Sequence, residues 1–316
     1  MLGLLVRPVT WSLGLVGQPV TTRVRRDVIA QLERVGSQGR FPQEQYDEPA
    51  GDPGLFGPDS VVWRVHSHPA MIVGGLSALM LQTLHPLAMA GVAEHSNFKE
   101  DPEGRLARTS SFVDGTTFGS REVAETLCAI VERIHRRVKG VTPDGRPYSA
   151  NDPALLRWVH VTEADSFVRA YQRFARTPLT GAETDRYFEE FRVVAEMLGA
   201  TDVPASRAEV DAYFDGIRPQ LYAGEQAKDT FRFILTPSTR DARVAVPHLV
   251  IARAAIHLLP PWARDLLGAG RFTVLDPLSV NTLTLALVEF LAWVSPNPRM
   301  VAARERVARG TSIAAA

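Results

Sequence analysis

The sequence predicts an all-α protein folded as a single multi-helix globular domain. Apolar residues recur three or four positions apart in one segment after another. Those segments are bracketed by capping residues and by Gly or Pro stops. Period-two alternation is scarce, and the short run VVWRV at 61–65 is the best strand candidate.

The elements are taken in chain order. Residues 1–60 are expected to form an N-terminal arm and an irregular loop packed on the body, which spans 61–310. The loop, at 35–60, is rich in Gly, Pro and acidic residues. From Val65 to Ala93 there is no Asp, Glu, Lys or Arg, enough by length for a membrane span. The polar Ser77, Gln82, Thr83 and His85, together with Pro86, argue instead for a buried helix from about Pro69 to Leu84. A break at His85-Pro86 and a second short helix come next. Gly74 and Gly75 would let another element or a flat ligand approach closely.

Ser120 opens a helix over 120–139 with Val123, Leu127, Ile130, Val131, Ile134 and Val138 on one stripe, and Gly140 ends it. Residues 141–150 read as a loop with a turn at Asp144-Gly145. Asp152-Pro153 is an N-cap followed by Pro at N1, and starts a helix with Leu155, Leu156, Val159, Phe167, Val168 and Tyr171 on its apolar face. Thr180 with Glu183, and Ser206 with Glu209, are capping-box pairs that open two more helices, stopped by Gly199 and Pro219. Further helices are expected near 224–235, 247–258, 279–294 and 297–308.

Composition narrows the function. The 316 residues are 45% hydrophobic and 22% charged, as in a globular protein. Thirty-five Lys plus Arg balance thirty-five Asp plus Glu, so non-specific nucleic-acid binding has no electrostatic basis. Nor is there polybasic attachment to a membrane. No secretory or twin-arginine signal is read at the N-terminus, so the expected location is cytoplasmic. Glycine-rich phosphate loops, the Gly-x-Ser-x-Gly elbow and His-Glu-x-x-His are absent from the sequence. The single cysteine, Cys128, excludes an internal disulfide framework and a four-thiolate cluster within this chain. Metal chemistry therefore falls to eight histidines with carboxylates.

His135 is the most informative of these. It lies four residues after Val131, eight after Leu127 and three before Val138, at the edge of an apolar stripe. Arg133, Arg136, Arg137 and Lys139 surround it. One reading is a core histidine beside a cationic last turn; the other is a metal or haem ligand with arginines for anionic groups. Glu132 and His135 also form a Glu-x-x-His pair, one half of a di-iron motif. His66-Ser-His68 is a weak chelate, and Cys128 reads as a small buried hydrophobe. His160, on an apolar face, is either a distal hydrogen-bond donor or a core residue. Arg105 and Thr109 are four apart, so a helix would set both on one face.

Four stretches stand in a specific order: LQTLHPLAMAGVAEHSNFKEDPEGRLARTSSF, FGSREVA, IHRRVKG and YSANDPALLRWVHVTEADSFVRAY. In order and spacing they resemble a bacterial and fungal family that includes the rubber oxygenases (latex-clearing proteins) and the membrane-bound oxygenase of the mycophenolic acid pathway. The resemblance is strongest over about 65–175 and extends to about 295. It implies an all-α, globin-reminiscent fold and a non-covalently bound haem b. It implies oxygenase chemistry on a small or medium-sized apolar substrate with dioxygen. His135, in IHRRVKG, would be the axial iron ligand. Arg105 and Thr109, in RLART, correspond to an Arg-x-x-x-Thr motif near the haem, with Arg136 a further candidate for the cofactor's anionic groups. Arg105, Thr109 and His160 are the catalytic candidates. Arg108 stands where rubber oxygenases carry a distal lysine, and a guanidinium cannot ligate iron as a neutral amine can. Glu94 is a weak counterpart of the family's catalytic carboxylate. Other readings are a non-catalytic haem or ligand-binding module of the same fold, and a non-haem iron enzyme using Glu132 and His135. Neither substrate nor oligomeric state is encoded legibly, and no integral membrane span is expected.

Overall fold

The computed structural model describes residues 44–272, 277–294 and 297–314. Most of the expected N-terminal arm, residues 1–43, lies outside the described residues. The segment from 44 to 60 is not wholly irregular: a short helix, α1 (Glu44–Asp47), precedes the turns up to Ser60. This segment is fastened to the body by Arg306. That guanidinium is fully buried and donates to three backbone carbonyls, Asp52 (2.9 Å), Tyr46 (2.8 Å) and Gly119 (3.2 Å).

The VVWRV run is a helix, α2 (Val61–His66), not a strand. Ser60 caps it, with Oγ accepting from Trp63 N–H at 3.1 Å. Val61, Val62, Trp63 and Val65 are all buried, on more than one side. A strand with one wet face would have alternated, so here packing overrides the β propensity of the valines. The charge-free stretch then forms α3 (Met71–Gln82) and α4 (Pro86–His95), bent by 104° at the break before Pro86. Pro86 supplies no N–H and starts the second helix at N1. No single helix among the described residues is long and apolar enough to cross a membrane.

Helices α5 (Pro102–Phe118) and α6 (Arg121–His135) form a hairpin joined at Gly119 and Ser120. Helix α6 stops at His135, four residues short of the expected end, with Arg136 as C-cap. The supposed loop beyond it is a β-hairpin, β1 (Lys139–Val141) against β2 (Pro147–Ser149), turning at Gly145 with φ +86°. Gly140 is thus a strand residue and not a helix stop. A Cβ there would sit 2.5 Å from the Tyr148 hydroxyl, so glycine makes room for that ring.

Helix α7 (Pro153–Phe174) is the centre of the molecule, buried on most of its surface, and starts with Asp152 as N-cap and Pro153 at N1. Helix α8 (Gly181–Met197) opens with the complete Thr180–Glu183 capping box. Helix α9 (Arg207–Ile217) has half of one: Ser206 accepts from Glu209 N–H, while Glu209 takes the Ala205 N–H instead. Then come α10 (Glu225–Leu235), α11 (Ala242–Leu258), α12 (Pro261–Leu266), α13 (Pro277–Val294) and α14 (Pro298–Ala314). Helix α11 begins earlier than its stripe suggests and continues through Pro247.

Helix α3 lies against α7 at backbone distance. A Cβ on Gly74 would come within 2.9 Å of the Ser166 carbonyl oxygen and 3.2 Å of the Ala170 methyl. On Gly75 the nearest atom among the described residues would belong to Phe167, at 4.0 Å. Gly74→Ala is therefore expected to lower stability by about 1–3 kcal/mol. Gly75→Ala should be neutral, or stabilising by up to about 1 kcal/mol through helix propensity. Urea midpoints of the two variants check this; equal losses would refute the close contact.

Candidate active site

The α5–α6 hairpin brings two of the candidates to the same end. Arg105 is fourteen residues before Gly119 and His135 sixteen after it, so both stand about 20 Å from the link. The pairing is set near the link, where Leu127 of α6 fits the space above Gly115 of α5. His135 is half-buried, and its Nδ1 is buried with no hydrogen-bond partner. Burial lowers its pKa and keeps the imidazole neutral.

Arg105 donates from Nη1 to Ser96 Oγ at 2.7 Å and lies over the Phe98 ring at 5.7 Å. It has no carboxylate partner among the described residues. Burial, with Arg108 next in importance, lowers its pKa and disfavours its charge. Thr109, one turn on, is exposed and donates to the Arg105 carbonyl at 3.1 Å. Arg108 points elsewhere and pairs with Asp101 at 3.2 Å. Leu106 and Ile134, the neighbours of Arg105 and His135 in sequence, are 50% and 54% exposed.

The β-hairpin adds a third wall. Ala150 N–H bonds the Val138 carbonyl at 2.8 Å, three residues beyond His135. Tyr148 reaches α4, donating to Glu94 Oε2 at 2.5 Å, and stands 3.1 Å from His95 Nε2. Burial and that carboxylate push the Tyr148 hydroxyl up to about 12. Glu94 thus has a proton donor fixed on it, in a segment that reads as loop. The Asp-Gly turn is the signal for it, but the flanks are too polar to look like strands.

The other candidates are engaged elsewhere or buried in the core. Arg136 is exposed and grips Glu132 through two bonds of 3.1 and 2.9 Å, which also occupies that carboxylate. Among the described residues no three His, Cys, Asp or Glu side chains are grouped to hold a metal, so the Glu132–His135 non-haem reading gains no support. Cys128 is buried, and burial raises its thiol to about 11, opposite to what a thiolate ligand needs. His66 and His68 diverge. His68 Nδ1 accepts from Ala70 N–H at 3.2 Å, while His66 enters the core.

His160 joins His66 in that core. The His66 ring nitrogens lie 2.8 Å from Thr117 Oγ1 and 2.9 Å from the Tyr187 hydroxyl. The rings of His66 and His160 both pack on Phe191 at 4.7 Å. Burial pushes His66 down to about 3, helped by His160, and His160 down to about 4. Glu163, one turn from His160, is pushed by burial up to about 7. The sequence singles out neither this carboxyl nor Tyr187, since both sit in ordinary helical stripes.

Comparison with known families finds that residues 63–293 match the catalytic domain described as ER-bound oxygenase mpaB/B'/Rubber oxygenase. The chain belongs to this family. The match covers well over half of the sequence and includes both the α5–α6 hairpin and the core histidines. Comparison with curated proteins and with solved structures finds no match. This oxygenase-family domain therefore has the all-α fold that its caps and stripes predict.

The buried groups make stability depend on pH in two opposed ways. His66 and His160 titrate lower when folded than when unfolded, so their contribution is complete above about pH 6.5 and is lost as pH falls toward their folded values. Glu163 titrates higher when folded; its contribution is present below about pH 4.5 and is lost as pH rises through 7. His160→Gln should flatten the fall in stability between pH 6.5 and 4 by up to about 1.4 kcal/mol per pH unit. Glu163→Gln should steepen the rise between pH 4.5 and 7. Urea titrations at stepped pH test both slopes; unchanged slopes would mean that these groups are solvated.

Proposed function

We propose that this oxygenase-family domain is a haem b-dependent oxygenase acting on an apolar small or medium-sized substrate, with His135 as the axial iron ligand. One observation carries the reading. A neutral imidazole with a buried, unpartnered ring nitrogen stands at the same hairpin end as a half-buried guanidinium that has no counter-anion among the described residues. Iron would complete the first and a carboxylate of the cofactor the second. When bound, haem would supply the iron centre that activates dioxygen.

The chain's own residues then have distinct tasks. His135 is held on a rigid helix and kept unprotonated by burial, so its lone pair is available. Arg105, fixed by Ser96 and the Phe98 ring, orients an anionic edge. Arg136 would have to leave Glu132 to join in, so Arg105 is the stronger partner. Thr109 keeps its oxygen lone pairs free while its proton is spent on the Arg105 carbonyl. Leu106, Ile134 and Val141 offer apolar contact for ring or substrate. Glu94 is held in place by the hydrogen bond it accepts from the Tyr148 hydroxyl. His160 is assigned to the core cluster with His66, as a positioning residue.

Purified protein supplied with haem is expected to show a Soret band at about one haem per chain. His135→Ala should lose most of that absorbance and Arg105→Gln should weaken haem retention about tenfold, roughly one lost charge-assisted contact. His160→Ala should retain the band. Absence of haem binding by wild-type protein under these conditions would overturn the proposal.

A further inference from the structure

Helices α7, α8, α9, α11 and α13 line an open cleft of about 710 Å³. That volume suits a small organic ligand. One wall is apolar and buried: Val168, Phe174, Ala254, Leu258 and Val280. The other wall carries charge.

Most of that charge is already matched. Asp165 is fully buried, with one oxygen taken by Arg169 Nε at 2.7 Å and the other by Arg207 Nη1 at 2.5 Å. Arg207 also pairs with Asp211 at 2.6 Å. Asp185 accepts the Arg207 backbone N–H at 2.8 Å, at the N-terminus of α9, where the helix dipole favours an anion.

Arg173 is different. Its partner is a neutral amide oxygen, Asn281 Oδ1 at 2.8 Å, and it has no carboxylate among the described residues. Next to it in the lining is His257, whose Nε2 is buried without a hydrogen-bond partner. Burial lowers the His257 pKa first, and every charge that acts on it is cationic: Arg264, Arg173 and Arg253. Arg207 Nε is likewise buried and unpartnered on the same cavity. Buried N–H groups without acceptors are costly, and beside them Arg173, exposed at the edge of the lining, is a cation with no carboxylate set against it among the described residues.

We propose that this cavity is a second ligand site, for a small amphiphilic carboxylate whose anionic head meets Arg173 and His257 and whose chain lies along the apolar wall. Apolar length supplies desolvation, and the carboxylate supplies the acceptors that the wall lacks. A neutral chain would leave those donors unsatisfied, and a bare anion would leave the apolar wall wet. The site shares no lining residue with the group around His135, so it is independent of the haem reading.

Isothermal titration of the full chain with sodium octanoate tests it, with 1-octanol and sodium acetate as probes of the two halves. Octanoate should bind at least tenfold more tightly than either. Arg173→Gln should weaken octanoate at least tenfold, with Arg173→Lys retaining part of the affinity. Asn281→Asp, which gives Arg173 an internal carboxylate, should abolish binding in a chain that still folds by circular dichroism. Octanoate should raise the His257 pKa followed by NMR. Binding should persist in His135→Ala, which separates this site from any haem site. Equal binding of octanoate and octanol, loss of octanoate binding in His135→Ala, unchanged affinity in Arg173→Gln, or no octanoate binding at all would overturn the proposal.

Discussion

Helix α3 can lie on α7 only because position 74 has no side chain. With the Ser166 carbonyl and the Ala170 methyl within contact of where a Cβ would be, the two backbones meet directly. Other placements depend on that contact. The charge-free α3 becomes the inner layer of the core, and its 104° bend into α4 carries the chain out to the hairpin end. There α4 presents Glu94 and His95 to Tyr148. Helix α7 also carries the buried His160 and Asp165. The helix that Gly74 admits α3 to is thus the one that carries both His160 and part of the arginine-lined cleft.

Burial, more than any nearby charge, decides the protonation of these groups. His66, His85, His135 and His160 are all pushed toward the neutral form with desolvation as the leading cause. A neutral imidazole in the core is a packing and hydrogen-bonding group, as His66 is between Thr117 and Tyr187. The same neutrality at a half-buried position with an unpartnered nitrogen gives His135 a different use. Environment separates the two roles, not residue type.

Much of the fold is legible in the sequence because caps and stripes act locally. Asp152-Pro153 and the Thr180–Glu183 box start helices where they say they do. The failures are tertiary. VVWRV has strand propensity, yet burial on several sides and the Ser60 cap make it helical. Gly140 looks like a helix stop, but its reason for being glycine is a tyrosine eight residues away, across a two-stranded ladder. At the site, the ordered RLART and IHRRVKG stretches point to Arg105 and His135, and the hairpin brings both to one end. Arg136 is less legible: its i−4 partner Glu132 competes for it. The arginine cavity is invisible in sequence, since its walls come from five helices.

The proposed role of His135, to supply the axial nitrogen of a bound haem, is open to direct measurement. The resonance Raman spectrum of the ferrous, haem-loaded protein reads that bond through its iron–imidazole stretch. The band should be present in wild type and in His160→Ala. In His135→Ala it should vanish, even when haem is added in excess. An undiminished iron–imidazole band in His135→Ala would assign the ligand to another histidine and contradict the role proposed for His135.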